Sequence, residues 1–491
     1  MAVLGFQLVT TLIAAGVSQK LSARYSLARL FLSKGLYRYL HPTTEELKAA
    51  VGQNVGSKNR RRAKVDGNHS ANGAADSEGF PVPKQAAVAL ERVPVGSLDL
   101  LPLPLYVKCR WLIDYFLCAL LVSSISELYL WLTAAQEMNL GVVWLLIALA
   151  FALESLTSLA GLYFRTEEGG GGERSLVLCV GAVYFLFTMA FVTVSERYLD
   201  ITLQNAYENF TAAANEFLKS HDVETTRQGA SPILLYLFFS VLFGFVGALL
   251  VFPSFRYSKM YLDAVRSAET GPITKFLLHL SFISPVSVLV FWIRPVRLHL
   301  IEEHLLSLRQ LNSLKVWSAL AFVALRALTA KACFQAYLNL ANDKLATLRK
   351  QTGRINSLEL QRMIARVFIY FCAAVCQYFA PVLIVATLTL LLKSSGAYSW
   401  YALSEPASAY LDLAPALFRA SPLGRLAASS SPSLFERLGV KTEGSMAAGR
   451  LLLNETVSGG LLSFCLFLTT AISFSLSLLG VVYNQRFAPT Q

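Results

Sequence analysis

The chain has 491 residues, 55% of them hydrophobic and only 15% charged, with a mean hydropathy of +0.50. That balance excludes an ordinary water-soluble globular protein and marks a membrane protein. A net charge of +12 suits a nucleic-acid partner, but in so apolar a chain it is explained more simply by basic loops on the cytoplasmic face.

A span needs about 20 mostly apolar residues to cross roughly 30 Å of hydrocarbon. Nine stretches qualify: 1–17, 111–133, 140–163, 175–194, 233–252, 276–293, 314–332, 367–392 and 461–482. The expected fold is therefore all-α, a polytopic membrane helix bundle with about nine spans, the N-terminus outside and the C-terminus cytoplasmic.

In chain order, residues 1–17 read as an uncleaved first anchor. They lack a basic n-region, and Lys20, Arg24, Arg29 and Lys34 follow them, which holds the next loop inside. Residues 18–110 form a basic, partly disordered cytoplasmic segment, in which "KNRRRAK" precedes the tract "GNHSANGAADSEG". Arg60, Arg61 and Arg62 in that run suit anionic lipid headgroups, and a solvated linker accounts for them equally well.

Residues 111–332 carry spans two to seven. Residues 333–366 keep apolar residues at helical spacing around charges, which predicts amphipathic cytoplasmic helices broken at Gly353, with Asn356 or Ser357 capping the second. Two readings of 331–366 stay open: a surface that lies along the membrane or receives an ion channel or other protein, and a plain extension of the flanking spans into water. Span eight (367–392), an exterior loop (393–460), span nine (461–482) and a tail (483–491) complete the chain.

Short cytoplasmic loops should be the basic ones. This orientation places Arg165, Arg174, Arg256, Lys259, Arg266, Lys275, Lys331, Lys344, Arg349, Lys350, Arg354, Arg362 and Arg366 inside, while Arg294, Arg297 and Arg309 fall outside and break the rule. The sequons at Asn209 and Asn454 fall outside, as glycosylation requires, and the one at Asn68 falls inside.

All seven cysteines lie in spans or beside their ends, so no disulfide framework is implied. Cys372 and Cys376, one helical turn apart, suit a soft metal less well than a small apolar role. The sequence carries no P-loop, H-E-x-x-H, C-x-x-C or nucleophile elbow, and Gly169 to Gly172 read as a hairpin turn. A non-enzymatic protein with no cofactor is expected.

Polar groups inside spans are costly and tend to be paired or functional. At 1.5 Å per residue, Arg326, Asp114 and His279 each lie about 6 to 7 Å from the basic residue marking their inner ends. One reading pairs Arg326 with Asp114 across the bundle; the other lets Arg326 snorkel to the interface.

Glu154 and Gln377 lie deeper, roughly 16 Å in, where a shared hydrogen bond and a protonated carboxyl are expected. Pro381 and Pro285 kink their helices by freeing the carbonyls of Gln377 and Ser281, which makes either a broken-helix solute site or ordinary membrane-helix prolines. Glu127 is near the outer face and meets water, and Gly244 and Ala248 suit close helix packing.

The stretches "YSLAR" (25–29), "HPTTEEL" (41–47), "ERS" (173–175), "GALLVFPSFR" (247–256), "LLHLSFISP" (277–285), "QAYLNLA" (335–341) and "GRINSLELQRMIARVF" with "QYFAP" and "LLLK" resemble the transmembrane protein 161 family along nearly the whole chain. By position Trp111, Asp114, Glu127, His279, Pro285, Arg326, Gln377 and Pro381 look like the family's own residues. Glu154 departs from the pattern, and the start "MAVLG" is more similar to one of the two branches.

The resemblance implies a regulator, in the plasma membrane or endoplasmic reticulum. One branch is associated with cardiac rhythm and restraint of potassium and calcium currents, and the other, which the start resembles, with protection against oxidative stress and DNA damage. The competing class is an ion or solute transporter or channel whose path runs past Asp114, Arg326, Glu154 and Gln377.

Overall fold

The computed structural model describes residues 6–24, 26–50, 80–82, 89–133, 139–165, 170–220, 231–350, 355–396, 398–400 and 454–486. The expected lipid site Arg60, Arg61 and Arg62, and the sequon Asn68, lie outside them. Among the described residues eight helices are long and apolar enough to cross a membrane. They belong to an all-α polytopic bundle.

The first expected span corresponds to α1 (Phe6–Arg24), which is more polar than the eight and lies against α4 (Tyr106–Thr133). Residues 1–5 lie outside the description. Next come α5 (Gly141–Arg165), α6 (Gly170–Tyr198) and α8 (Ile233–Arg266), with the amphipathic α7 (Leu203–Ser220) between the last two. Then follow α9 (Pro272–Val290), α10 (Arg294–Glu302) and α11 (Leu308–Lys350). Last are α12 (Ser357–Ile369), α13 (Phe371–Ser395) and α14 (Glu455–Arg486).

The pillar of the bundle is α13. Every residue from Phe371 to Leu392 is buried, because α4, α5, α8, α11 and α14 all pack on it. That accounts for its unbroken apolar composition: a lipid-facing helix needs one apolar face, but a helix enclosed by others is apolar all round. Close approach elsewhere depends on small residues. A Cβ on Gly244 of α8 would stand 3.0 Å from Phe185 Cβ and 3.1 Å from the Gly181 carbonyl of α6, while a Cβ on Gly181 would meet Ala248. Gly244→Leu is accordingly expected to lower stability by roughly 1 to 3 kcal/mol through overpacking, read as a lower thermal midpoint in detergent.

At one end, here the strand end, short elements cap the bundle. They are α2 (Leu27–Ser33), β1 (Tyr37–Tyr39), α3 (Thr44–Ala50), β2 (Pro81–Val82), β3 (Arg92–Pro94) and β4 (Ile355–Asn356). β1 pairs antiparallel with β3, Arg38 opposite Val93, and β2 pairs with β4, Pro81 opposite Asn356. Gly35, at φ 74°, supplies the left-handed turn between α2 and β1. Parts of 18–110 are thus ordered against the bundle.

The stretch 331–366 is also not a free pair of amphipathic helices. α11 is one continuous helix of 43 residues, about 65 Å long at 1.5 Å per residue, so it outruns the bilayer; Phe334 and Tyr337 pack on Phe371 of α13, and Gln335 reaches the cap. Asn356 does cap α12, its side chain accepting from Leu358 N at 3.2 Å. The chain's own N-terminal elements bond to both helices. The Gln335 amide brackets Tyr37, accepting from its N–H at 2.9 Å and donating to its carbonyl at 3.1 Å, and Gln361 donates to Pro42 O at 2.8 Å.

Several of the basic residues expected on one side do gather: Arg256, Lys259 and Arg366 lie near Lys344 on the later part of α11, and Lys259 and Arg266 lie near Asp263. The three offending arginines lie apart from these, on α10 and at the start of α11. There Arg297 is ion-paired with Asp200, and Arg294 donates to the Glu196 carbonyl at 3.4 Å, so the local excess of positive charge is partly neutralised.

Candidate functional site

The structure separates the residues expected to form one inner layer. Asp114 does not reach Arg326. Its carboxylate accepts from Ser26 Oγ at 2.6 Å and Ala28 N at 3.1 Å and lies 3.6 Å from Arg110 Nε on its own helix, tying α2 to α4. The expected ion pair fails because the acid faces the N-terminal cap, whose proximity spacing within the spans does not reveal. His279 is exposed and bonds Tyr261 at 2.8 Å through Nδ1.

Glu154 does not meet Gln377 either. It pairs with Lys108 of α4 at 2.8 Å and stands half-exposed at the bundle surface, so it forms an ion pair where a buried, protonated acid was expected. Glu127 does more than meet water: its Oε2 accepts from Lys393 Nζ at 2.6 Å and Trp400 Nε1 at 3.0 Å, joining α4 to the end of α13. The carbonyl that Pro285 frees, that of Ser281, is taken by Ser284 Oγ at 2.9 Å, so that proline leaves no vacant acceptor there.

Arg326 and Gln377, assigned to different depths, do come together. The helix break at Tyr370 ends α12, so Gln377 lies only six residues into α13, about 9 Å, level with Arg326. Both line one small internal cavity with Pro253, Ser254, Tyr257, Pro381 and Ser473, where α8, α11, α13 and α14 converge. Two prolines meet at this level, since Pro253 interrupts α8 as Pro381 interrupts α13.

Arg326 is 5% exposed. Its guanidinium carbon stands 3.4 Å from the Tyr257 ring centroid and 5.3 Å from that of Phe322. The backbone around it is fixed by Tyr378, whose hydroxyl donates to Arg326 O at 2.7 Å, and by Thr329 bonded to Leu325 O and Ser281 Oγ. Tyr378, Tyr257, Phe282 and Phe334 form a continuous aromatic shell. On the far side of Gln377, Arg256 Nε donates to its Oε1 at 3.4 Å.

Sequence spacing missed Pro253, Ser254, Tyr257 and Arg256, which follow the end of span five. The one available signal was "FPSFRY", where a proline, a hydroxyl and an arginine recur within one and a half turns. It also missed Lys315, just inside span seven. That ammonium is buried (1% exposed), bonded to Asp200 at 2.5 Å and seated over the Trp292 ring at 4.3 Å.

The two sequons expected outside, Asn209 and Asn454, are exposed and adjacent, the Asn209 amide donating to Thr456 Oγ1 at 3.4 Å. Cys372 and Cys376 are buried in α13 as free thiols, with Cys109 of α4 against Cys376. Among the described residues no three His, Cys, Asp or Glu side chains gather as a metal site requires.

Beyond the spans, α8 and α11 bring charges together at the strand end. Burial raises the Asp263 carboxyl to about 6, against the pull of Lys259, with nearby Asp343 raising it further and Arg266 opposing. Its Oδ2 is buried with no hydrogen-bond partner. Between the ordinary carboxylate range and about 6 the folded chain holds a proton that the unfolded chain has released, so stability falls as pH rises through that window and is flat above it. Asp263→Asn is therefore expected to be more stable than wild type by about 2 kcal/mol at pH 7 to 8, the difference vanishing as pH is lowered from 6 to 4, in thermal melts of both proteins across that range.

Eight apolar helices, one of them an enclosed pillar, define an integral, multi-pass helical membrane protein. The chain belongs to the transmembrane protein 161 family: residues 2–488 match the family described as "Predicted transmembrane protein 161AB". No solved structure matches it.

Proposed function

We propose that this protein is a non-enzymatic regulator in the plasma membrane or endoplasmic reticulum, acting through protein partners. By family resemblance it tunes potassium and calcium currents and membrane excitability, or protects against oxidative stress and DNA damage. One observation carries the choice of regulator over conduit. Asp114, Glu127 and Glu154 are each tied to a different nearby cation, and together with Arg326 they are spread around a fully buried α13 instead of lining one path.

The strand end faces the cytoplasm in this reading, since these basic residues gather there. Its working surface is electrostatic. Burial holds the Lys344 ammonium below its ordinary range, and Lys259, Arg256 and Arg366 lower it further, so several cations crowd one place. Arg349, Lys350, Arg362 and Arg366 are exposed. An acidic segment of a partner suits such a face.

The test uses point variants, because deleting 331–366 would remove the buried Phe334, Tyr337 and Leu360. Arg362→Glu with Arg366→Glu is expected to abolish any effect of the protein on potassium and calcium currents in cells, at unchanged protein level. Purified protein in liposomes is expected to move neither cation nor proton. Flux in that preparation would favour the transporter reading, which the shared cavity of Arg326 and Gln377 keeps in view.

A further inference from the structure

Among the described residues the guanidinium of Arg326 has no counter-ion: no carboxylate lies within ion-pair distance of it, and its Nε is buried with no hydrogen-bond partner. The side chain is only 5% exposed. Taking such a charge out of water is costly, and stacking on Tyr257 recovers only part of that cost. The balance is unfavourable, so something more must neutralise the charge.

The cavity beside Arg326 supplies the place. Ser254 Oγ, on its wall, is likewise buried with no hydrogen-bond partner, so a guanidinium N–H edge and a hydroxyl are both left without an acceptor at the same spot. Tyr257 covers one face of the guanidinium, and a ligand can therefore approach in the plane of the N–H groups, which is the direction in which they donate. Ser473 and Gln377 complete the polar lining.

Size narrows the ligand. The space has room for about one small particle and not for a polyatomic oxyanion. A water fits but brings no charge. We propose that the cavity walled by Ser254, Tyr257, Arg326, Gln377 and Ser473 binds a single monatomic anion of the chloride class, held in the plane of the Arg326 guanidinium as its counter-ion and so locking α8, α11, α13 and α14 together.

The experiment compares full-length purified protein in sodium chloride and in sodium gluconate at equal ionic strength. Wild type is expected to melt several degrees higher in chloride, with a saturable dependence on its concentration, and to retain about one radiolabelled chloride per chain. Arg326→Met, which keeps the bulk without the charge, is expected to fold, to melt identically in both salts and to retain none. Ser254→Ala is expected to raise the half-saturating chloride concentration by about tenfold, the loss of one hydrogen bond to an ion, and serves alone if the methionine variant does not fold. Equal melting of wild type in the two salts with no chloride retained, the result of a water-filled cavity, overturns the proposal; so does a chloride dependence that survives in Arg326→Met.

Discussion

Asp200→Ala is expected to destabilise the protein by about 3 to 5 kcal/mol, the cost of breaking a buried ion pair from one side. Asp200 bonds both Lys315 and Arg297, and Lys315 has almost no exposure, so removing the acid strands an ammonium that no water reaches. The reverse change is expected to be mild. Lys315→Met removes the buried charge itself and leaves Asp200 with Arg297, so it should cost less than about 1 kcal/mol or be neutral. Thermal unfolding in detergent checks both. Equal damage from the two variants would mean that shape, not uncompensated charge, holds α6, α10 and α11 together.

Asp114→Ala is expected to cost about 2 to 4 kcal/mol, because it leaves the Ser26 hydroxyl and the Ala28 N–H without their acceptor in a buried place. Ser26 is also the N-cap of α2, accepting from Arg29 N at 3.4 Å, so the loss spreads into the first turn of that helix. Limited proteolysis is the sensitive readout: cleavage within 26–50 should accelerate in the variant while the spans stay protected. Asp114→Asn retains one acceptor and should fall between. Proteolysis unchanged in both variants would show that β1 and its partners hold the N-terminal cap without α2.

Much of the architecture was readable along the chain because lipid imposes a one-dimensional rule. A helix must present about 20 apolar residues to cross, and the seven spans from 111–133 to 367–392 together with 461–482 each recur as a long helix. The exception is instructive. Residues 1–5 of the expected span 1–17 lie outside the described residues, and the described helix α1 begins only at Phe6 and runs on to Arg24, so it is not among the eight. The cap of α12 by Asn356 and the close packing at Gly244 were equally legible, since each depends on a residue and its near neighbours or on the absence of a side chain.

Pairing of charges was not legible. Depth estimates placed Asp114 beside Arg326 and Glu154 beside Gln377, and all four chose other partners. Depth is one coordinate, and a contact needs two more: the rotation of each helix about its axis and the identity of its neighbour. Glu154 faces outward to Lys108 for that reason, although its depth was suitable. The error for Gln377 arose differently, since a break at Tyr370 moved the start of its helix and with it the level.

The sequence by itself determined that this is a multi-pass helical membrane protein of the transmembrane protein 161 family and that Arg326 lies where a charge is costly. Only the tertiary structure decided that α13 is the enclosed pillar, that the N-terminal segment folds back over α11 and α12, and that Arg326 stands over Tyr257 beside a cavity with no acid in reach. The physical reason is that hydrophobicity and charge are properties of residues, whereas enclosure and counter-ion distance are properties of helix rotation and packing.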